Sequence, residues 1–140
     1  MLSLHEAQKL VTRAIEAGTA QQVPVAVVVV DPGGHIIAAA RMEGAGFLSL
    51  KTAHKKARTA AGMGFPTEAI AHMAAEDPLI GEALHGDPDF FILPGGIPIV
   101  KDGRAMGAIG VAGGIYHQDQ AVATAALAHV FAPFPQSQDA

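Results

Sequence analysis

The chain contains no cysteine and few aromatic residues, since only 5% of its 140 residues are Phe, Tyr or Trp. Without cysteine it can form no disulfide, zinc–thiolate site, iron–sulfur cluster or covalent c-type haem attachment. Half of the residues are hydrophobic, so the core must come from Ala, Val, Ile and Leu. Such a composition favours a sheet that is covered by alanine-rich helices.

A basic excess and long apolar runs are also missing. Nine Lys and Arg against 13 Asp and Glu give a formal net charge of −4, which disfavours nucleic-acid binding. No window approaches the roughly 18 uninterrupted apolar residues of a membrane span. The N-terminus lacks both a basic segment and a continuous apolar segment, so it does not resemble a signal peptide, and we expect a cytoplasmic protein that does not bind membranes.

Length and hydropathy set the expected organisation. A chain of 140 residues is close to the usual size of one domain, and we assign residues 1–132 to a single domain with a loose tail at 133–140. The mean hydropathy of +0.31 is high for a small chain. We therefore expect some apolar surface to meet another subunit, which predicts a homo-oligomer.

Hydrophobic periodicity and turn residues predict the secondary structure. A capping box at Ser3 and Glu6 opens a first helix that ends near Gly18. Further helices are predicted at about 49–62, 67–76 and 118–131, with a short helix or turn at 79–84. The predicted strands are 23–30, 35–42, 90–93, 97–100 and 105–111. Because two hairpins are separated by helices, this order predicts an α/β (α+β) fold with a mostly antiparallel, five-stranded sheet and helices on both faces.

The segment from Gly95 to Gly114 contains seven glycines, which can serve either close packing or ligand contact. Gly107 and Gly110 lie inside a strand pattern, where glycine often permits close packing, so we interpret them as packing residues. The turn Pro94-Gly95-Gly96 presents backbone N–H groups, and we interpret Gly95 and Gly96 as ligand contacts. The pattern is neither a P-loop nor a dinucleotide-binding fingerprint.

Charged residues near these glycines are candidates for the chemistry of a site. Asp119 follows the last strand near a helix start, where it could cap the helix or face a pocket. Arg41 and Glu43 share one face of the second strand and could pair, or Arg41 could clamp a carboxylate. Lys55 lies on a helix face with Lys51 and Arg58 that is typical of solvated surface. The seven histidines show no metal-binding spacing, so no metal site is predicted, but haem needs only one axial ligand.

Several motifs together resemble those of the GlcG/HbpS-like family, which includes the C-terminal domain of PduO-type corrinoid proteins. The resemblance covers roughly residues 4–130 and is carried by these segments: 28–38, Arg41-Met42-Glu43-Gly44-Ala45, 55–60, Pro94-Gly95-Gly96-Ile97-Pro98-Ile99, Asp102-Gly103 and 107–113. The sequence departs from the family pattern at Glu43, where Asp is usual, and at Ala112-Gly113-Gly114, where Ser-Gly is usual. No histidine falls on an obvious match for a haem ligand.

The resemblance implies a profilin-like sheet and an oligomer of two or more subunits. It also implies haem or corrinoid as cofactor, and a place among glycolate, diol or aromatic catabolism functions. The positions that match the family's pocket are these: Arg41, Glu43, Lys55, Gly95, Gly96 and Asp119. We also predict Ile97, next to Gly96, as a ligand contact.

Three functions stay open from the sequence. The first is a small-molecule binding protein for haem, a corrinoid or an anionic metabolite. The second is a cofactor-free lyase, isomerase or hydrolase that acts on an organic acid. In that enzyme Arg41 holds the carboxylate, Asp119 or Glu43 is the general base, and the Gly95 and Gly96 amides steady an oxyanion. The third is an accessory or assembly subunit without a ligand of its own.

Overall fold

The structure, a computed structural model, describes residues 1–131 and Phe134. Apart from Phe134, the tail predicted at 133–140 lies outside the described residues. Five helices and four strands follow one another in the order α1 (Leu4–Ala20), β1 (Ala26–Val30), β2 (Ile36–Arg41), α2 (Ser49–Met63), α3 (Thr67–Glu76), α4 (Pro78–His85), β3 (Gly96–Lys101), β4 (Arg104–Ala112) and α5 (Tyr116–Ala128).

The strands form one antiparallel sheet in the order β2-β1-β4-β3. β1 lies in the interior of the sheet and is buried along its whole length, which explains its unbroken run of Ala and Val. It pairs with β2 on one side and with β4 on the other, so that Val28 lies opposite Ala39 and Gly110. β2 and β3 are the two edges.

Helices cover both faces of this sheet, as the sequence predicted. α2 packs on one face, where Ala53, Ala57 and Ala60 meet the small side chains of β1 and β4. α1 and α5 pack on the other face over a core of Val, Ile and Leu. The first face brings α2 very close to the strands, because the alanines of α2 meet Ala108, Gly110 and Ala112 of β4.

Two glycines of β4 lie where a side chain would collide with a neighbouring backbone. A Cβ atom on Gly110 would collide with the carbonyl oxygen of Ala53 in α2, and one on Gly107 would collide with the carbonyl oxygen of Val30 in β1. Gly107 also has a φ of +145°, in a region that side-chain-bearing residues avoid. The structure therefore agrees with the interpretation of Gly107 and Gly110 as packing residues.

The fifth strand, predicted at 90–93, is absent from the described residues, so that prediction is wrong. The backbone there is bound by side chains instead of by a neighbouring strand. Phe91 donates its N–H to the hydroxyl of Thr59 in α2 at 3.0 Å, and the hydroxyl of Thr67 in α3 donates to the carbonyl of Leu93 at 2.8 Å. These bonds hold the segment as an irregular loop against the two helices.

Helix starts were easier to predict than helix ends. The capping box of Ser3 and Glu6 is present at the start of α1, but the helix runs past Gly18 to Ala20. Gly18 is buried inside the helix, and a Cβ atom there would lie only 2.8 Å from the carbonyl oxygen of Val23. No helix within the described part of the chain is long and apolar enough to span a bilayer.

Candidate functional site

An open cleft lies where α2, the loop before β3 and the turn between β4 and α5 meet. Its volume is about 270 Å³. Its wall is formed by Gly46, Leu48, Ser49, Thr52, Lys56, Phe91, Leu93, Ala112, Gly113, Gly114, Tyr116 and Asp119. Leu48, Leu93 and Tyr116 are exposed, so apolar side chains surround the opening of the cleft.

A buried ion pair between Lys56 and Asp119 forms part of the cleft wall. The Nζ of Lys56 donates to Oδ2 of Asp119 at 3.0 Å and to the carbonyl oxygen of Val111 at 2.9 Å. Only 2% of the Lys56 side chain and 3% of the Asp119 side chain are exposed. A pair this deeply buried is costly unless its remaining polar atoms are also satisfied, so its partners matter.

Two glycines at the start of β3, Gly95 and Gly96, make room for Lys56 in the interior. Lys56 follows Ala53 by three residues and precedes Ala60 by four, so the helix turns it toward the sheet with them. A Cβ atom on Gly95 would lie 3.0 Å from the Nζ atom of Lys56, and one on Gly96 would collide with the Lys56 carbonyl. These glycines therefore shape the space behind the lysine.

Asp119 is held by the start of α5. It lies in the first turn of that helix, where the positive end of the helix dipole favours a carboxylate. Its Oδ1 atom accepts the N–H of Gly114 at 2.8 Å, and its Oδ2 atom accepts from Lys56. The carboxylate thus joins the turn before α5 to α2.

Burial and the attraction between the two charges shift the pKa values of Lys56 and Asp119 in opposite directions. Burial lowers the pKa of Lys56 below its ordinary value, and the Asp119 carboxylate partly offsets that change. Burial raises the pKa of Asp119 above its ordinary value, and Lys56 and the Gly114 N–H partly offset that change. Both groups are thereby shifted toward their neutral forms. Perturbed pairs of this kind in a cleft are typical of functional sites.

Of the charged residues predicted for the site, the structure brings only Asp119 to the cleft. Arg41 is exposed at the end of β2 and donates to the carbonyl of Ala45 at 2.7 Å. Glu43 is exposed in the turn that follows, and Lys55 is half-buried on the next face of α2. None of these three lines the cleft. Their proposed roles in binding or catalysis stay predictions.

The other predicted contacts lie behind the cleft or beside it. Gly95 donates its N–H to the side chain of Gln120 at 3.0 Å, and Gly96 donates to the hydroxyl of Thr67 at 3.0 Å. Ile97 is buried, and it lines a second cavity of about 80 Å³ between β3 and α5 together with Gln120. Both amides therefore have protein partners, and their role as ligand contacts stays a prediction.

Lys56 is the site residue that the sequence reading missed. The pattern Ala53, Lys56, Ala57 and Ala60 has the spacing of one buried helix face, with a lysine in place of the expected apolar residue. A lysine among the apolar residues of this face was the signal from which a buried Lys56 could have been predicted. Phe91 was also missed, because it was assigned to a strand, and its ring centroid lies 5.9 Å from the Lys56 Nζ atom.

The cleft of one subunit has some of the features that a haem group needs. In the described residues no three His, Cys, Asp or Glu side chains converge as a metal site, but a haem iron needs one protein ligand. Tyr116 is the residue on the cleft wall whose side-chain type ligates haem in known proteins. The apolar side chains at the opening suit a macrocycle, although about 270 Å³ is slightly below the usual range for ligand pockets.

Comparison with known proteins identifies the relatives of this chain. The model of a family described as HbpS-like, "Haem degrading protein HbpS-like", matches residues 2–128. The chain belongs to the HbpS-like family. Protein GlcG of Escherichia coli K12 is 33% identical over 111 residues, which cover 79% of this chain and 81% of GlcG. The expected GlcG/HbpS-like membership is thus confirmed.

Two further members connect the family to larger proteins and to a bound group. The corrinoid adenosyltransferase PduO of Salmonella typhimurium is 32% identical over 130 residues, which cover 92% of this chain but only 39% of PduO. The crystal structure of a complex of PduOC with haem superposes with a TM-score of 0.84 at 33% identity, covering 91% of this chain and 93% of that one. The observed α+β fold with an antiparallel sheet is therefore shared with relatives, whereas the profilin-like description stays a prediction.

Proposed function

We propose that this HbpS-like protein binds a small molecule in the cleft beside Lys56 and Asp119, and that haem is its leading ligand. One observation carries the proposal: a cleft with an apolar opening and a buried charged pair lies in a chain that is 33% identical to the PduOC of the haem complex. Concave sites with mostly apolar walls and a few fixed polar groups are typical of ligand binding.

The chemistry of the cleft agrees with a planar apolar ligand. Leu48, Phe91 and Leu93 offer apolar contact, and Tyr116 would offer its phenol oxygen to the iron. None of the cleft-lining side chains is a histidine, so we expect Tyr116 rather than a histidine to hold the iron. Haem, when bound, would supply iron redox chemistry, while these residues bind and orient it.

A hemin titration with matched variants tests the proposal. We expect stoichiometric binding with a Soret shift. Leu48→Asp should lower the affinity for hemin at least about tenfold, because a carboxylate would have to be desolvated against the macrocycle. Leu79→Asp is the control, since Leu79 is an exposed apolar residue on α4 that lies outside the cleft. Tyr116→Phe should keep the apolar contact but change the Soret position.

The titration also distinguishes haem from the other candidate ligands. If hemin binds with equal affinity to both aspartate variants, the cleft is not the haem site. If hemin does not bind, titration with a cobalamin tests the corrinoid alternative, and thermal-shift screening of organic acids tests an anionic metabolite. A protein that responds to none of the three would favour an accessory or assembly subunit.

A further inference from the structure

Lys56 differs from every other lysine of the chain in its surroundings. The chain has lysines at 9, 51, 55, 56 and 101, and all five are described. Lys56 alone is buried, and its side chain forms part of the wall of the cleft. The other four are exposed or half-buried, with ordinary access to water.

The groups around the Lys56 nitrogen are those that a reactive amine needs. Asp119 lies at hydrogen-bond distance, so that its carboxylate can take a proton from the ammonium group. The Phe91 ring lies 5.9 Å from the nitrogen, which makes that side of the amine apolar. A lysine that is desolvated in an apolar site is a recognised nucleophile toward carbonyl compounds.

We propose that Lys56 condenses with a small aldehyde or ketone in the cleft, with Asp119 as the proton-transfer partner. The ammonium of Lys56 gives a proton to Asp119, and the freed lone pair attacks the carbonyl carbon to form a C–N bond. A proton moves from nitrogen to the former carbonyl oxygen. Asp119 then returns its proton to that oxygen, the C–O bond breaks, and water leaves. The product is a protonated imine on Lys56 beside an ionised Asp119.

The charge balance of the buried pair supports this reaction. The protonated imine carries one positive charge, as the ammonium did, so Asp119 keeps a cationic partner after the C–N bond has formed. No other ionised group has to enter the cleft. Burial, which lowers the pKa of Lys56, also raises the share of the neutral amine that can attack.

The size and lining of the cleft define the class of carbonyl compound. About 270 Å³ accommodates a short chain or a small ring, and Leu48 and Leu93 at the opening favour apolar substituents. This activity uses the same cleft as the proposed haem site but does not depend on haem. A protein that fails to bind hemin can still form the imine, and the two results are read separately.

Reductive trapping tests the proposal directly. The intact protein is incubated with propanal and sodium cyanoborohydride, which reduces a protonated imine to a stable secondary amine, and the modified lysines are located by peptide mass mapping. We expect Lys56 to be modified at least about tenfold faster than Lys51, because burial lowers the pKa of Lys56 and Asp119 lies at hydrogen-bond distance to take its proton. Urea-unfolded protein is the reference, in which all lysines should react alike.

Variants assign the role of the carboxylate. Asp119→Asn should slow modification of Lys56 at least about tenfold while the rates at Lys51 and Lys55 stay unchanged. If that variant does not fold, the rates of modification in the native protein are sufficient to test the reactivity of Lys56, because they compare lysines within one molecule. The proposal is overturned if native protein is modified at the exposed lysines while Lys56 reacts no faster than they do.

Discussion

At the scale of single residues, the buried pair of Lys56 and Asp119 is costly to remove from water. Both side chains leave water almost completely, and each carboxylate oxygen has one hydrogen-bond donor. A pair of this kind adds little stability compared with apolar residues of the same shape, but removing one partner leaves a buried charge unpaired. A purely structural role would therefore be served as well by two apolar residues, which supports a functional role for the pair.

A double-mutant cycle should reveal this coupling. Asp119→Asn leaves the Lys56 ammonium without its carboxylate and should lower the free energy of unfolding by about 3–5 kcal/mol. Lys56→Met should cost a similar amount, because it leaves the buried Asp119 carboxylate without its cation. The double variant should lose clearly less than the sum, as measured by urea unfolding. Additive losses would show that the two side chains do not interact energetically.

The sequence predicted part of this site for clear physical reasons. Asp119 was found because it follows the Gly113-Gly114 turn at a helix start, which is a local pattern. Lys56 was missed because the buried face of α2 was predicted from its apolar residues alone, and a charged side chain at the same spacing was not assigned to that face. Arg41 and Glu43 were placed at the pocket through the family resemblance. In the structure Arg41 ends the edge strand β2 and Glu43 lies in the turn after it, and neither lines the cleft.

At the scale of the elements, the close contact of α2 with β4 positions Lys56. Gly110 should not tolerate a side chain, because a Cβ atom would collide with the backbone of Ala53. We expect Gly110→Ala to lower the free energy of unfolding by about 1–3 kcal/mol or more, through displacement of the helix. Gly62→Ala is the matched control near the end of α2, where a Cβ atom meets no other atom within 4 Å.

The control should shift stability in the opposite direction. Alanine at position 62 should stabilise the helix by about 0.5–1 kcal/mol, since glycine is a poor helix former. Both variants are measured by thermal and urea unfolding. Equal effects at the two positions would contradict the view that α2 rests directly on the glycines of β4.

Local patterns predicted most elements, and long-range contacts explain the exceptions. Four helices, the short helix α4 and both hairpins follow from periodicity, caps and turn residues. The segment 90–93 has the apolar character of a strand, but the hydroxyls of Thr59 and Thr67 bind its backbone before another strand can. Because those threonines lie some thirty residues away in the sequence, no local pattern could show their effect.

At the scale of the whole molecule, exposed apolar side chains next to the cleft predict self-association. Phe47 is 83% exposed and Ile115 is 58% exposed, and both adjoin residues that line the cleft. Apolar surface of this kind on a small protein usually marks a site of interaction. A second copy of the chain that covers this surface would also enclose a ligand that one subunit leaves partly open to water.

We therefore expect a homo-oligomer in solution that Phe47→Ser weakens, because a buried aromatic contact would be lost from each interface. The mass in light scattering should fall toward that of the 14.3 kDa chain on dilution, and the midpoint of thermal unfolding should rise with protein concentration. Leu79→Ser is the control, since Leu79 is 75% exposed on α4 and lies outside the cleft. A monomer at every concentration would refute the expectation, whereas weakening by Leu79→Ser alone would place the interface on α4.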